Sequence, residues 1–245
     1  MTWQSDPRRS DRRQSDPRQA DRWRLDASAT PATASAVVRA YAPVHAAIVS
    51  GVLAPGTLIT EGEVAERLAL SRTPVREAFL LLASQGLLTL HPKKGAVVVA
   101  VDDAQTAELV QARIMVESTA VRLRAARPHD PDPLRADLDA ILTTQREAAA
   151  SGDALAFARA DHAFHSRVVA ESANRVIDDL YARLGPRLEL LTHRVVSRDG
   201  AALGDFLDEH TALAEHAVAG RAREYEAALA DHVERRHSGS PAGSA

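Results

Sequence analysis

Apolar residues recur at helical spacing along most of the chain, with one exception near its first third. Three helical segments come first, at 37–50, 61–68 and 72–84. The exception follows, where Leu87–Leu90 and Ala96–Val101 form two short apolar or β-branched runs around a turn that contains Pro92 and Gly95. This order of two helices, a tight turn, a third helix and a hairpin predicts a winged helix-turn-helix over 37–101.

From Asp102 onward the pattern is helical only. The predicted helices cover 103–126, 133–150, 153–171, 173–197, 202–219 and 221–236, with breaks at Gly152, Gly200 and Gly220. About six helices of this length are enough for an antiparallel bundle. The predicted fold is therefore mainly α, with a winged helix-turn-helix followed by an antiparallel all-α bundle over 102–236.

The two ends of the chain lack this periodicity. Residues 1–36 carry the repeats Ser5-Asp6-Pro7-Arg8 and Ser15-Asp16-Pro17-Arg18 and few large apolar side chains. Such a segment buries too little surface to offset the entropy of ordering it. We therefore predict disordered tails at 1–36 and 237–245.

Composition narrows the function classes. The chain has no cysteine, which excludes disulfides, thiolate metal sites and a cysteine nucleophile. No apolar run reaches the length of a membrane span, so we expect a cytoplasmic protein without a membrane partner. Residues 37–100 carry six basic against four acidic residues, whereas 101–245 carry 17 against 24. The N-terminal part is therefore the better partner for a polyanion.

The third predicted helix has the features of a DNA-reading helix. Its apolar face would dock it on its neighbours, which leaves Arg72, Thr73 and Arg76 at an exposed N-terminal end. In a helix-turn-helix that end enters the major groove, where arginine can bond guanine with two hydrogen bonds. An ordinary capped helix with solvated arginines is the alternative, and the hairpin that carries Lys93 and Lys94 favours DNA binding over it.

The string Ser71-Arg72-Thr73-Pro74-Val75-Arg76-Glu77-Ala78, with Gly86-Leu87-Leu88 and the basic turn, resembles the DNA-binding domain of GntR-family regulators over about 37–100. The resemblance implies that Arg72, Thr73 and Arg76 contact operator bases and phosphates. It also implies that the wing tip, Lys93, Lys94 and Gly95, approaches the minor groove. The chain departs from the family at Gly62, where relatives often have an arginine that contacts DNA.

Four residues of the helical part have the spacing of a metal site. Asp161 and His165 are four residues apart and share a helical face, while His210 and His232 reach similar heights on a hairpin that turns at Gly220. One aspartate and three histidines can hold a borderline metal such as Zn²⁺ and leave one position open. The alternative is four unrelated residues in a chain of ten histidines.

This arrangement resembles the C-terminal domain of the FadR subfamily in its metal-binding form, the FCD domain, over about 102–236. The resemblance implies that Asp161, His165, His210 and His232 are ligands, and it leaves open whether the ion is Zn, Ni, Mn or Fe. Arg113 lies on an apolar stripe, either as a structural pair with Glu117 or as a counter-ion for an effector carboxylate. The family's Arg-x-x-x-Glu at this place supports the second reading, and Asn174 resembles a family asparagine near the same cavity.

Together these patterns predict a DNA-binding transcriptional regulator rather than an enzyme. It would be a repressor that acts as a homodimer on a palindromic operator and senses a small organic acid over a divalent metal. A metallosensor, in which the ion is the signal, and a metal-dependent hydrolase are the alternatives, although no His-Glu-x-x-His or Gly-x-Ser-x-Gly motif is present. The helix that carries Arg113 follows the wing directly and would transmit the signal.

Overall fold

The computed structural model describes residues 23–28, 30–198 and 203–237 of the 245-residue chain. Residues 1–22 of the predicted tail at 1–36 and residues 238–245 of the predicted tail at 237–245 lie outside these residues. Within them the fold is the predicted one, a winged helix-turn-helix followed by an all-α domain.

The N-terminal domain combines three helices and a small sheet. The helices are α1 (Ala36–Val49), α2 (Glu61–Arg67) and α3 (Arg72–Ser84), and the strands are β1 (Leu58–Ile59), β2 (Leu88–His91) and β3 (Gly95–Val98). The sheet is antiparallel in the order β1-β3-β2, with Val97 of β3 between Leu58 and Thr89. Strand β1 was not predicted, because two residues are too short to show an alternating pattern. Strand β3 ends three residues earlier than predicted.

Local capping explains where α2 begins, and packing explains α3. Thr60 and Glu63 form a reciprocal capping box at the start of α2. Ser71 holds the N-cap position of α3, but its side chain makes no capping hydrogen bond. The apolar face predicted for α3 is buried, and Phe79 is its largest member. Burial of that face, rather than the cap, holds α3 in place.

Trp23 belongs to the core of the N-terminal domain. Its side chain is 7% exposed, and the guanidinium carbon of Arg67 lies 3.9 Å from the ring centroid. The prediction of a disordered tail over 1–36 is therefore wrong for Trp23. One aromatic residue in a polar segment has no periodicity to reveal it, yet its large apolar surface is enough to pin it to α2.

All six helices predicted after Val101 form within the described residues. They are α4 (Asp103–Ala125), α5 (Pro131–Ser151), α6 (Ala154–Ala170), α7 (Arg175–Arg198), α8 (Leu203–Val218) and α9 (Ala222–His237). Helix α7 continues through Pro186 without a break. No helix in the described ranges is both long and apolar enough to cross a membrane.

Helix α7 joins the two domains. Its Leu188, Leu190 and Leu191 are part of the same buried cluster as Ile48 of α1 and Val98 of β3. Arg194 of α7 also donates a hydrogen bond from Nη1 to the carbonyl of Val101 at 3.0 Å. The core of the DNA-binding domain therefore extends onto the helical domain.

Candidate metal centre and DNA interface

The structure brings the four predicted metal ligands together. Asp161 and His165 come from α6, His210 from α8 and His232 from α9, and all four are buried. Their ligand atoms all lie within 4.8 Å of one another. The two hairpin histidines face each other as predicted, with ring centroids 4.7 Å apart.

Each histidine is held at its outer ring nitrogen by a different acceptor. His165 donates from Nδ1 to Glu117 Oε2 at 2.8 Å. His210 donates from Nδ1 to Gln145 Oε1 at 2.8 Å, and His232 donates from Nδ1 to Glu209 Oε2 at 2.7 Å. A carboxylate or amide oxygen can only accept, so Nδ1 carries the proton in each ring. The Nε2 lone pairs are therefore the ones that point into the cluster, which is the usual arrangement of a metal-binding histidine.

The inner atoms of the cluster do not satisfy one another. The Nε2 atoms of His165 and His210 are 3.1 Å apart, and Asp161 Oδ1 lies 3.2 Å from His210 Nε2. Oδ2 of Asp161 accepts from Thr192 Oγ1 at 2.9 Å, whereas Oδ1 is buried with no hydrogen-bond partner among the described residues. Converging lone pairs and an unpaired carboxylate oxygen are a good fit for a divalent cation.

The electrostatic state of the cluster also suits a cation. Burial lowers the pKa of His165 and brings that of His232 to about 3, so both rings are neutral at neutral pH. Burial acts against ionisation of Asp161, but the positive charge of Arg113 outweighs it and holds the pKa of that carboxyl well below its usual range. The centre thus offers neutral imidazoles and one carboxylate, the protonation states that metal binding requires.

Glu117 is the polar hub beneath the centre. Besides His165, its carboxylate accepts hydrogen bonds from Arg113 Nε at 3.0 Å, Tyr181 at 2.7 Å and Tyr225 at 2.7 Å. Although burial opposes ionisation, His165 and Arg113 lower the pKa of Glu117. One buried carboxylate therefore orients both a metal ligand and the cation beside it.

Arg113 forms the structural pair considered for it, and the effector role stays a prediction. The pair with Glu117 is present, and the Arg113 residue is 3% exposed. Its Nη2 has no hydrogen-bond partner among the described residues and lies 3.7 Å from Asp161 Oδ2. One nitrogen of a buried guanidinium therefore remains available next to the metal centre.

Asn174 is not part of this cluster. Its side chain is exposed at the start of α7, where Oδ1 accepts hydrogen bonds from the backbone N–H of Val176 at 3.0 Å and of Ile177 at 3.5 Å. Its acceptor oxygen therefore caps a helix, and the effector role implied for Asn174 stays a prediction.

Two other histidines have different surroundings. His162 packs against Gly185, where a Cβ atom would lie 2.3 Å from the imidazole, and stacks on Tyr181. His193 lies 3.3 Å from the hydroxyl of Ser197. Neither belongs to the metal cluster.

Sequence reasoning missed the acceptors and the donor that hold the ligands. Gln145 and Thr192 come from helices other than those of their ligand partners, so no spacing connects them with the site. Glu209 directly precedes His210 but bonds His232 across the hairpin. Among these residues, only Glu117 could be singled out from the sequence, because it lies four residues after Arg113.

The predicted DNA-reading residues lie around one crevice between α3 and the wing. The crevice has a volume of about 660 Å³, and its lining includes Arg72, Arg76, Lys93, Lys94 and Gly95. Thr73 is exposed beside it in the first turn of α3. The structure thus gathers the cations that were predicted to face DNA on one surface.

Two glycines shape this surface. A Cβ atom on Gly95 would lie 2.4 Å from the carbonyl oxygen of Ile59, so glycine is needed there for β3 to pair with β1. A Cβ atom on Gly62 would lie 3.5 Å from Arg72 Nη2, so the Arg72 side chain extends across the start of α2. The absence of a large side chain at residue 62 leaves that space to Arg72.

Two family models match the chain. The model described as bacterial regulatory proteins, gntR family, matches residues 36–98, and the model described as FCD domain matches residues 108–235. The chain belongs to the GntR family. It is a GntR-type transcriptional regulator with an FCD C-terminal domain, and the cationic crevice and the Asp/His cluster lie one in each matched region.

Known relatives of this GntR regulator are transcriptional regulators too. It is 33% identical over 165 residues to the gluconate operon transcriptional repressor of Bacillus subtilis, which covers 66% of this chain and 67% of that protein. It is 32% identical over 187 residues to a probable D-xylose utilization operon transcriptional repressor of Paenarthrobacter nicotinovorans, covering 76% and 80%. The relatives are regulators and not enzymes, which sets aside the metal-dependent hydrolase.

A solved structure shares the fold. The E. coli protein McbR/YncC superimposes with a TM-score of 0.70 at 23% identity, over 82% of this chain and 95% of that one. This likeness concerns the architecture alone.

Proposed function

We propose that this GntR-family regulator is a cytoplasmic repressor that senses a small organic acid over a bound divalent metal. The observation that carries the proposal is the cluster of three histidines, each with its outer nitrogen held by an acceptor and its inner nitrogen directed at Asp161. Asp161, His165, His210 and His232 would hold the ion, and Zn²⁺ suits this set, with Ni, Mn or Fe as alternatives. The metal would supply a Lewis-acidic position for an effector oxygen.

Arg113 would supply the second contact for the effector. Its free Nη2 lies beside the carboxylate of Asp161, where it can pair with an anionic group. One relative is named for the gluconate operon, and gluconate carries a carboxylate. A hydroxy acid of this kind is therefore the first class of effector to test.

The DNA-binding domain would act as one half of a homodimer on a palindromic operator. One recognition helix contacts too few base pairs for useful specificity, so two related half-sites are expected. Arg72, Thr73 and Arg76 would contact bases and phosphates, and the wing tip would approach the minor groove. Arg72→Ala or Arg76→Ala should each weaken binding to a selected operator by about 1–3 kcal/mol. Unchanged affinity in both variants would remove α3 as the reading helix.

The metal content of the purified protein tests the centre directly. We expect about one transition-metal ion per subunit, which elemental analysis can count. His210→Ala and His232→Ala should each lose the ion, whereas His193→Ala, a matched change outside the cluster, should retain it. Full metal content in both of the first two variants would refute the centre.

The effector role of Arg113 can be separated from metal binding. Arg113→Ala should keep the metal and the operator affinity but lose the release of operator by hydroxy acids, measured by calorimetry and fluorescence anisotropy. If zinc alone releases the operator and no acid adds to the effect, the regulator is a metallosensor instead. Full effector response in Arg113→Ala would leave the arginine a structural role only.

A further inference from the structure

Helix α7 contacts the metal centre on one side. Thr192 of α7 donates its hydroxyl to Asp161 Oδ2 at 2.9 Å, and both residues are buried. Oδ2 is the carboxylate oxygen that faces away from the histidine nitrogens, since Oδ1 lies beside His210. Thr192 therefore sets the position of a candidate ligand without being a ligand itself.

The same helix carries the docking surface of the DNA-binding domain. Glu189, less than one turn before Thr192, faces His45 of α1, with Glu189 Oε2 and His45 Nε2 3.8 Å apart. Arg194, two residues after Thr192, holds the carbonyl of Val101 at the end of the DNA-binding domain. Three residues of helix rise by about 4.5 Å, so the metal-side and DNA-side contacts belong to one rigid segment.

The contact between His45 and Glu189 is a weak one. Both side chains are buried, yet 3.8 Å is too long for a hydrogen bond, and neither His45 Nε2 nor Glu189 Oε1 has a hydrogen-bond partner among the described residues. Burial lowers the pKa of His45 to about 4, so its ring is neutral at neutral pH and forms no ion pair. Glu189 Oε1 lies 3.7 Å from Arg159 Nε, which is also too long for a hydrogen bond. Poorly paired buried groups destabilise the arrangement that buries them, so little is needed to release this interface.

We propose that α7 is the coupling element of the regulator, with Thr192 as the positioning residue on the metal side and Glu189 and His45 as the releasable contact on the DNA side. The inference rests on the proposed function, because it requires the centre to bind a metal. When Asp161 moves to meet an ion, the hydrogen bond from Thr192 moves α7, and the surface that holds α1 moves with it. By linkage, release of α1 must in turn change the affinity of the centre for metal.

Hydrogen exchange of the full-length protein with and without Zn²⁺ tests the metal side. We expect Zn²⁺ to change the exchange rates of α1 amides in the parent by about fivefold or more, the lower end of typical coupling between sites. Thr192→Val should still take up one Zn²⁺ per subunit at saturation but leave α1 unresponsive. Thr143→Val is the matched control, because Thr143 is exposed and its hydroxyl bonds only within α5, donating to the carbonyl of Asp139 at 2.9 Å and accepting from Arg146 Nη1 at 3.5 Å.

An experiment on the metal-free protein tests the contact between α7 and the DNA-binding domain. Replacing the weak contact by apolar side chains of similar size, in the double variant His45→Leu with Glu189→Met, should slow α1 exchange several-fold in the metal-free protein. The same variant should bind Zn²⁺ with an altered affinity, although neither residue touches a ligand.

The outcomes separate the two proposals. If the parent takes up no Zn²⁺, the proposed function fails and the coupling fails with it. If the parent takes up Zn²⁺ and α1 does not respond, the metal centre stands and the coupling through α7 is wrong. An undiminished response in Thr192→Val, or unchanged exchange in the double variant, also overturns the coupling.

Discussion

At the scale of single residues, the three histidines of the metal centre differ in what holds them. Glu117 and Glu209 are carboxylates, whereas Gln145 is a neutral amide that is fully buried against His210. A carboxylate raises the basicity of the imidazole it holds, and an amide mainly fixes the orientation of the ring. Gln145 can therefore be removed without leaving a buried charge behind.

Gln145→Leu should weaken metal binding by about 10–100-fold while the stoichiometry at saturation stays at one ion per subunit. The cause is the loss of the acceptor that keeps the proton on Nδ1 of His210 and the lone pair on Nε2. Competition with a chelating dye measures the affinity. Gln111→Leu, the same change at an exposed position, should leave the affinity at the parent value. Equal affinities in the two variants would show that His210 needs no outer partner.

Glu189 makes the stability of the protein depend on pH. Burial raises the pKa of its carboxyl from 4.5 to about 7, and the groups around it are His45 of α1 and Arg159 and Asp161 of α6. A raised pKa in the folded state means that the contribution of Glu189 is present below pH 4.5 and is lost as the pH rises through 7.

We therefore expect the free energy of unfolding of the parent to fall, relative to that of Glu189→Gln, by on the order of 2 kcal/mol between pH 4.5 and pH 8. Urea unfolding of both proteins at several pH values measures the difference. His45 titrates in both proteins and cancels. A difference that stays constant with pH would mean that Glu189 is ionised throughout.

At the scale of elements, two glycines in the left-handed conformation end helices of the C-terminal domain. Gly152 follows α5 with φ of 69°, and a Cβ atom added to it would meet open space. Gly220 follows α8 with φ of 66°, and a Cβ atom added to it would lie 3.3 Å from Cβ of Ala125 on α4. Gly220 also closes the hairpin that places His210 opposite His232. Its conformation therefore affects both packing and the metal centre.

Gly152→Ala should cost about 1 kcal/mol of unfolding free energy, the strain of a left-handed alanine. Gly220→Ala should cost more, because Ala125 must also move, and it should weaken metal binding, which Gly152→Ala should not. Thermal unfolding and the chelator competition measure the two effects. Equal metal affinities of Gly220→Ala and Gly152→Ala would mean that α4 can shift without disturbing the hairpin that carries His210 and His232.

Helices were predictable from sequence here because long amphipathic stretches repeat their pattern many times. The starts of α5 and α7 were misplaced by two residues each, since Asp130 and Asn174 cap them and a cap is a single residue without periodicity. Strand β1 and the buried Trp23 were missed for the same reason. The Asp/His cluster could be predicted from spacing within α6 and across one hairpin, whereas its contacts with Gln145 and Thr192 could not, since only tertiary packing brings these two residues to the cluster.

The contacts behind the proposed coupling through α7 were likewise visible only in the structure. Chain order connects the wing to α4 and so pointed to that helix as the link, which stays a prediction. Packing also places α7, three helices further along the chain, against both α1 and Asp161. Elements that are adjacent in sequence are covalently connected, but the contacts that couple two domains can involve elements far apart in the sequence.

At the scale of the whole molecule, the chain is negatively charged overall, whereas its predicted DNA-binding surface is positively charged. The chain has a net charge of −3, but the crevice between α3 and the wing is lined by the cations Arg72, Arg76, Lys93 and Lys94. Operator binding should therefore weaken steeply with salt despite the overall negative charge, because each phosphate contact releases counter-ions.

Lys94→Ala tests both this point and the number of subunits on the operator. Loss of one phosphate contact lowers the slope of log K against log salt by about 0.9, so a dimer with two wings should lose about 1.8. Anisotropy titrations at several salt concentrations measure the slope. Thr106→Ala, an exchange in α4 away from the crevice, should keep the slope of the parent. A loss of only about 0.9 would indicate that a single wing contacts DNA.

The packing of Trp23 under Arg67 gives the molecule a built-in optical reporter. The chain has two tryptophans, Trp3 and Trp23, and both precede the helical domain. In a Trp3→Phe background the fluorescence would report the environment of Trp23 alone, while far-ultraviolet circular dichroism would be dominated by the long helices α4 to α9. Following both signals in one denaturant titration would show whether the two halves melt together or one after the other, without any label attached to the protein.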